Sequence, residues 1–275
     1  MPARRHDLFF ASIRSGQVAM MDALIDAEPE LLTDLIDLSH RGGPGDAAGM
    51  TALHVAAIAG QVEAARRLIE HGVDMNARNA VGRMAVHDAF EYGQVAIAQM
   101  LFEAGCEVDA CAAAAFGRND DLRKRLPAEA NDMTTGLTPL GWAAYGQNNE
   151  GARLLVAAGA KVTGDPWDEL AWGPACDVCA MGVAKVMLEA GADPNWRDAD
   201  GGTPLHNVIA SPLVGDPSFF IEVLLEAGAD RSLKDAAGHT ALDLARAQKT
   251  VQAYQPAGGK PTKSLDRTIE ILSRG

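Results

Sequence analysis

The sequence of 275 residues contains few aromatic side chains, which together make up 5% of it. A large compact core normally contains more of them, because each aromatic ring buries a large apolar area. Alanine and glycine are abundant instead, with 28 glycines in the chain. Small residues suit helices that pack closely against each other, so the composition favours packed helices over one large aromatic core.

Basic residues are also in the minority. The chain has 24 lysines and arginines against 37 aspartates and glutamates, which gives a formal net charge of −13. Nucleic acids and anionic membrane surfaces attract positively charged proteins. We therefore expect neither nucleic acid nor a membrane as a partner, and the acidic charge favours a partner protein with a basic face.

Long apolar segments are missing as well. No apolar run approaches the roughly 20 residues that span a bilayer. The N-terminal segment MPARRHDLFFASIRSGQ has no sustained apolar run before a cleavage site, so it does not have the pattern of a secretory signal. With four cysteines in the whole chain, the sequence predicts a reducing, cytoplasmic location.

What the sequence does contain is a repeat. The segment from Gly49 to Asn79, GMTALHVAAIAGQVEAARRLIEHGVDMNARN, is followed by a second copy in which four positions recur after 33 residues. The recurring pairs are Gly49 and Gly82, His54 and His87, Gly60 and Gly93, and Gly72 and Gly105. Each copy predicts a helical hairpin that cannot bury its apolar face alone, so stacked copies are needed to form a continuous core.

These copies resemble the ankyrin repeat family. The residues that carry the resemblance are GMTALHVAA, GGTPLHNVI and GLTPLGWAA, and the endings LIEHGVDMN, MLEAGADPN and LLEAGADRS, which are close to the family's LLxxGADxN. The resemblance implies an all-α solenoid of about eight helix-turn-helix units with β-hairpin loops, forming a single domain over residues 1–275. The expected units are an N-terminal cap at 6–45, repeats at 46–78, 79–111, 112–132, 133–163, 164–197 and 198–234, and a C-terminal cap at 235–275. The expected unit at 112–132 is a shortened copy, and the one at 164–197 is a degenerate copy.

The family implies a protein-binding scaffold with a concave binding face, formed by hairpin tips and the inner sides of the first helices. Aromatic and arginine side chains on such a face are typical interface anchors. The residues that we expect to bind a partner are Arg83, Glu91, Tyr92, Trp142, Tyr145 and Trp172. The alternative for the aromatic residues is packing against an adjacent irregular unit.

A second function class stays open, namely an enzyme that binds a small molecule in the same groove. The irregular segments 112–132 and 164–180 could form a pocket with tryptophan and tyrosine walls. His87 occupies the family's structural histidine position, as His54 and His206 do, but Asp88 follows it where Val55 stands in the preceding copy. In this alternative, His87 with Asp88 or Asp177 would transfer protons.

The sequence predicts no cofactor and no metal site. Phosphate-binding, zinc-protease, nucleophile-elbow and dinucleotide-binding motifs are all missing. The cysteines form two pairs, CEVDAC at 106–111 and CDVC at 176–179. These pairs lie about two repeat units apart, and a zinc site would require all four sulfur atoms to converge.

Overall fold

The structure, a computed structural model, describes residues 2–36, 48–164, 167–253 and 264–274. The chain folds as two compact units. Unit 1 comprises Met1–Ala112 and Met133–Gly136, and unit 2 comprises Ala113–Asp132 and Leu137–Gly275. The single domain over residues 1–275 stays a prediction.

Unit 1 is built from two layers of helices. Its helices, with a short 3-10 helix at Pro29–Thr33, are α1 (Pro2–Arg14), α2 (Val18–Ala27), α3 (Ala52–Ile58), α4 (Val62–Glu70), α5 (Ala85–Glu91) and α6 (Val95–Glu103). The first helices α1, α3 and α5 pack on each other, and the second helices α2, α4 and α6 form the other layer. The expected helical hairpins are thus present, with their apolar faces buried between successive copies.

Unit 2 repeats this arrangement. After α7 (Ala110–Ala115), its helices are α8 (Asn119–Arg125), α9 (Pro139–Tyr145), α10 (Asn149–Ala157), α11 (Trp167–Asp177), α12 (Met181–Glu189), α13 (Pro204–Ala210), α14 (Ser218–Glu226), α15 (Ala241–Ala253) and α16 (Asp266–Ser273). Helices α9, α11, α13 and α15 pack in sequence as one layer, and α8, α10, α12, α14 and α16 pack as the other. The all-α prediction is confirmed, and the degenerate segment 164–180 contains the helix α11.

The expected hairpin loops are tight turns, and the described residues contain isolated β-bridges but no strand. In unit 1, the Asn79 amide donates to the Arg83 carbonyl over 2.9 Å, and the Asn79 side chain accepts from the amides of Val81 and Arg83. The amide of Ala80 donates to the carbonyl of Ala48 in the preceding turn, also over 2.9 Å. Successive turns are therefore hydrogen-bonded to each other as well as closed on themselves.

The asparagine of the LLxxGADxN ending links one copy to the next. In unit 1, the Asn76 side-chain oxygen accepts from the Glu107 amide over 2.7 Å. In unit 2, the Asn195 oxygen accepts from the Asp230 amide over the same distance. This side chain therefore hydrogen-bonds each copy to the backbone of the next one.

His54 in unit 1 and His206 in unit 2 each reach the turn of the next copy. The Nε2 atom of His54 donates to the carbonyl of Arg83 over 2.9 Å, and its Nδ1 atom accepts from the Thr51 amide over 3.2 Å. A carbonyl can only accept a hydrogen bond, which fixes the tautomer of His54. Burial lowers the pKa of His54 to about 4, so its ring is neutral at physiological pH. His206 makes the same contacts in unit 2.

The copy that contains α7 differs from the others. Residues 71–84 connect α4 to α5 and include a hairpin turn, whereas only residues 104–109 connect α6 to α7. No hairpin therefore precedes α7, and the histidine of the preceding copy, His87, needs another hydrogen-bond acceptor.

Candidate functional site

That acceptor is Asp109. The Nε2 atom of His87 lies 3.1 Å from Oδ1 of Asp109, and the Nδ1 atom accepts from the Met84 amide over 3.0 Å. The backbone amide at Nδ1 places the ring hydrogen on Nε2, which donates to the carboxylate. Asp109 thus provides in one side chain the acceptor that the Arg83 carbonyl provides for His54.

Asp109 makes two further contacts. Its Oδ1 atom accepts from the Ala112 amide over 2.8 Å, which caps the start of α7, and its Oδ2 atom accepts from Nη2 of Arg78 over 3.0 Å. Burial opposes the ionisation of Asp109, but the hydrogen bonds from His87, Ala112 and Arg78 outweigh it and hold the pKa well below its ordinary value. Asp109 is therefore a buried, ionised and well-bonded carboxylate. The aspartate before the small-residue run ACAAAA was a helix-capping signal that the sequence analysis missed.

These contacts give the enzymatic alternative no support. His87 is fully buried, and both of its ring nitrogens are engaged within the protein. Its carboxylate partner is Asp109 rather than the expected Asp88 or Asp177. Asp177 lies in unit 2, where its Oδ2 atom accepts a hydrogen bond of 2.9 Å from the hydroxyl of Tyr145.

Asp88 has an unusual environment. It is fully buried on α5, and neither carboxylate oxygen has a hydrogen-bond partner. Burial raises its pKa to about 8, with a smaller lowering by Arg83 and a smaller raising by Glu91. The side chain is therefore mostly protonated at neutral pH.

Three of the predicted partner-binding residues form what we call the Arg83 cluster, namely Arg83, Glu91 and Tyr92. The Nη1 atom of Arg83 lies 2.5 Å from Oε2 of Glu91, and the two side chains are 18% and 24% exposed. The Nε atom of Arg83 donates to the Thr135 carbonyl over 3.2 Å. Tyr92 is half-buried and follows the last residue of α5. The cluster is thus positioned by one hairpin turn, one helix and residues 133–136 of unit 1.

The remaining predicted partner-binding residues lie in unit 2. Trp142 is 2% exposed and Trp172 is fully buried, with its indole nitrogen lacking a hydrogen-bond partner. Their burial disagrees with a role as exposed anchors, because a partner could contact them only if the core of unit 2 opened. They match the packing alternative instead. Tyr145 is half-buried and hydrogen-bonded to Asp177.

Cysteines and other metal ligands are not gathered into a site within the described ranges. Cys106, Cys111 and Cys176 are buried, and Cys179 is half-buried. In the part of the chain that the structure describes, no group of three or more His, Cys, Asp or Glu side chains is placed to hold a metal ion. Within the same described residues, no helix is both long enough and apolar enough to cross a bilayer.

Comparison with known proteins adds one family match. Residues 8–112 match the family model described as ankyrin repeats, three copies. No curated protein matches the sequence. One solved structure that is similar to this chain is that of the human ASB11 ankyrin repeat domain, with 19% identity, 96% of each chain covered and a TM-score of 0.44.

The family match covers the copies in which the 33-residue period is clearest. In the structure, those copies are paired helices joined by hydrogen-bonded turns, with His54 bonded to the following turn. Over residues 8–112, the chain therefore matches the ankyrin repeat family in sequence.

Proposed function

We propose that this protein is a scaffold that binds another protein through the hairpin tips and first helices of its repeats, the side that forms the concave binding face in its family. Ankyrin repeats generally mediate protein–protein interactions. The observation that carries the proposal is the Arg83 cluster, in which an arginine, a carboxylate and a tyrosine remain accessible on a hairpin turn and a first helix. Arginine and tyrosine are enriched among the residues that contribute most to binding.

The charge of the protein supports a partner with a basic face. The formal net charge is −13, which attracts positively charged surfaces and repels acidic ones. Glu91 would supply the local negative charge, since its carboxylate is accessible beside Tyr92. Tyr145 on unit 2 is a second predicted contact with the partner. Trp142 and Trp172 are buried, so they would support the binding surface by packing beneath it.

The proposal is tested by recovering partners from the native lysate with full-length protein and matched variants. Glu91→Lys and Tyr92→Ala alter the cluster, and Glu103→Lys is the control. Glu103 is exposed on α6 in the second helix layer of unit 1, so its charge reversal changes the net charge equally. We expect wild type and Glu103→Lys to recover the same protein and the two cluster variants to lose it.

Equal recovery by all four proteins would show that the cluster is not the binding surface. A sample that retains a small molecule and recovers no protein would contradict the scaffold proposal itself. Far-UV circular dichroism of each variant checks that the helices are intact.

A further inference from the structure

Asp88 is a carboxyl group in a position that another copy fills with an apolar side chain. The equivalent residue on α3 is Val55, which is buried like Asp88. A buried carboxylate without hydrogen bonds is strongly destabilising when ionised, whereas its protonated form costs much less. The folded protein is therefore much more stable with Asp88 protonated than with Asp88 ionised.

The charges around Asp88 show which group would respond when it ionises. Helix α5 packs against α3 and α6. The titratable residue on α3 is His54, which donates to a carbonyl and is neutral. The titratable residue on α6 is Glu103, in the last turn of that helix. On α5 itself, His87 is held by Asp109 and Glu91 repels a second negative charge. Arg83 is the cation whose charge favours ionised Asp88.

Both backbone polar groups of Arg83 are hydrogen-bonded. Its amide is held by the side chain of Asn79, and its carbonyl accepts from His54. Its guanidinium is shared between Glu91 and the Thr135 carbonyl. A negative charge at Asp88 would attract the same guanidinium.

We propose that Asp88 is a proton-controlled switch in unit 1. With Asp88 protonated, Arg83 holds Glu91 and the carbonyl of Thr135. When Asp88 loses its proton to solvent, Arg83 turns to the new carboxylate and releases Thr135, which loosens residues 133–136. The inference does not depend on the proposed function, because it concerns contacts within unit 1 only.

The pH at which the switch acts follows from burial. Burial raises the pKa of Asp88 to about 8, so the change falls on the mildly alkaline side of neutrality. Glu91 contributes to the raised pKa, and neutralising Glu91 would also free Arg83. A Glu91→Gln variant is therefore expected to switch at a lower pH.

Cys111 provides a local reporter of the change. It is fully buried, and the hydroxyl of Thr135 lies 3.5 Å from its sulfur. Loosening of residues 133–136 should expose this thiol to a maleimide reagent. Cys176 is fully buried in unit 2, and its labelling reports opening that has nothing to do with the switch.

The experiment compares site-resolved maleimide labelling of wild type and Asp88→Asn from about pH 6.5 to about pH 9. Thiol reactivity rises with pH in both proteins. The labelling rate of Cys111 in wild type divided by its rate in Asp88→Asn therefore reports the switch alone. We expect a ratio near one at the acidic end and an increase of about threefold or more at the alkaline end. Asp88→Val, which restores the residue type of α3, replaces Asp88→Asn if the amide variant does not fold.

A Cys111 ratio that stays constant with pH would overturn the switch. So would a carboxyl carbon of Asp88 that titrates near the ordinary value of 3.8 in NMR, or an equal increase at Cys176. If the pH midpoint of the change in Cys111 labelling is lower in Glu91→Gln than in wild type, the role of Arg83 is supported. An unchanged pH midpoint would contradict that role.

Discussion

At the scale of single residues, His54 and His87 occupy the same position in successive copies of unit 1 but donate to different acceptors. His54 donates to a backbone carbonyl, and His87 donates to the carboxylate of Asp109. The backbone carbonyl is present whatever the residue at position 83, whereas the carboxylate is lost when Asp109 is substituted. His87 is therefore far more sensitive to substitution of its partner.

Removal of Asp109 should be strongly destabilising. Asp109→Ala removes the carboxylate that accepts from His87 and Arg78 and uncaps α7, and breaking such buried contacts typically costs about 3–5 kcal/mol. Asp109→Asn keeps an acceptor oxygen, so we expect a smaller loss. Urea unfolding of the three proteins measures the difference, and equal stability of Asp109→Ala and wild type would contradict the role assigned to this residue.

His54 should make stability depend on pH in the acidic range. Its pKa is lowered from 6.5 to about 4 in the folded protein, so between these values the unfolded chain binds the extra proton. The stabilisation from neutral His54 is therefore complete above about pH 6.5 and is lost as the pH falls towards 4. Asp88 acts in the opposite direction, because its raised pKa makes the folded state lose stability as the pH rises from 3.8 to about 8.

The His54→Asn variant isolates the contribution of His54 to the pH dependence of stability. His54→Asn should be less stable than wild type at neutral pH by about 2 kcal/mol, and the gap should narrow as the pH approaches 4. Urea midpoints measured across this range give the gap directly. A gap that does not change with pH would show that His54 is not held neutral by its buried position.

At the scale of helices, the end of α9 departs from the pattern of α3 and α5. The left-handed position after those helices is glycine, Gly60 or Gly93, with φ of 67° in both. After α9 the same position is Gln147, with φ of 50°, and Gly146 stands one residue earlier. A Cβ atom on Gly146 would lie 2.1 Å from the carbonyl oxygen of Ala115, so the glycine is needed there for close approach.

Substitutions at these two neighbours should have unequal effects. Gly146→Ala places a methyl group against backbone and should destabilise unit 2 by about 2 kcal/mol. Gln147→Gly relieves a left-handed side chain but adds freedom to the unfolded chain, so we expect a change within about 1 kcal/mol. Thermal unfolding of both variants tests this, and a larger loss in Gln147→Gly would contradict the assignment of the close contact to Gly146.

Much of the fold was predictable because the repeat signals are local. Thr51 and Thr138 each accept from a backbone amide in the first turn of the following helix, as a capping threonine should. The glycines at helix ends mark left-handed backbone in the same direct way. Gln147 and Cys179 carry no such signal, since neither residue type favours the positive φ that it adopts.

The candidate site was less predictable because it depends on contacts distant in sequence. Arg83 and Glu91 were identified from their repeat positions, but Thr135, which holds Arg83, lies 52 residues away. Asp109 becomes the partner of His87 only because the hairpin before α7 is missing. The burial of Trp142 and Trp172 is likewise a tertiary result that the residue types alone do not reveal.

At the scale of the whole molecule, the net charge of −13 should govern the rate of association. With the partner recovered in the lysate experiment, the association rate constant should fall about tenfold or more between about 20 mM and about 200 mM salt, since ions screen the attraction. The dissociation rate constant should change much less. Surface plasmon resonance separates the two, and an association rate that is independent of salt would argue against a basic partner.

The contact between His87 and Asp109 also bears on how such a chain could change in length through duplication or loss of whole copies. A copy that carries this histidine in its first helix normally needs a turn at the start of the next copy to accept the histidine's hydrogen bond. Asp109 removes that obligation, because the aspartate satisfies the imidazole within a six-residue connection from 104 to 109. The junction after α6 is therefore where a gene rearrangement could join an unlike segment to the regular copies without leaving a buried histidine unbonded.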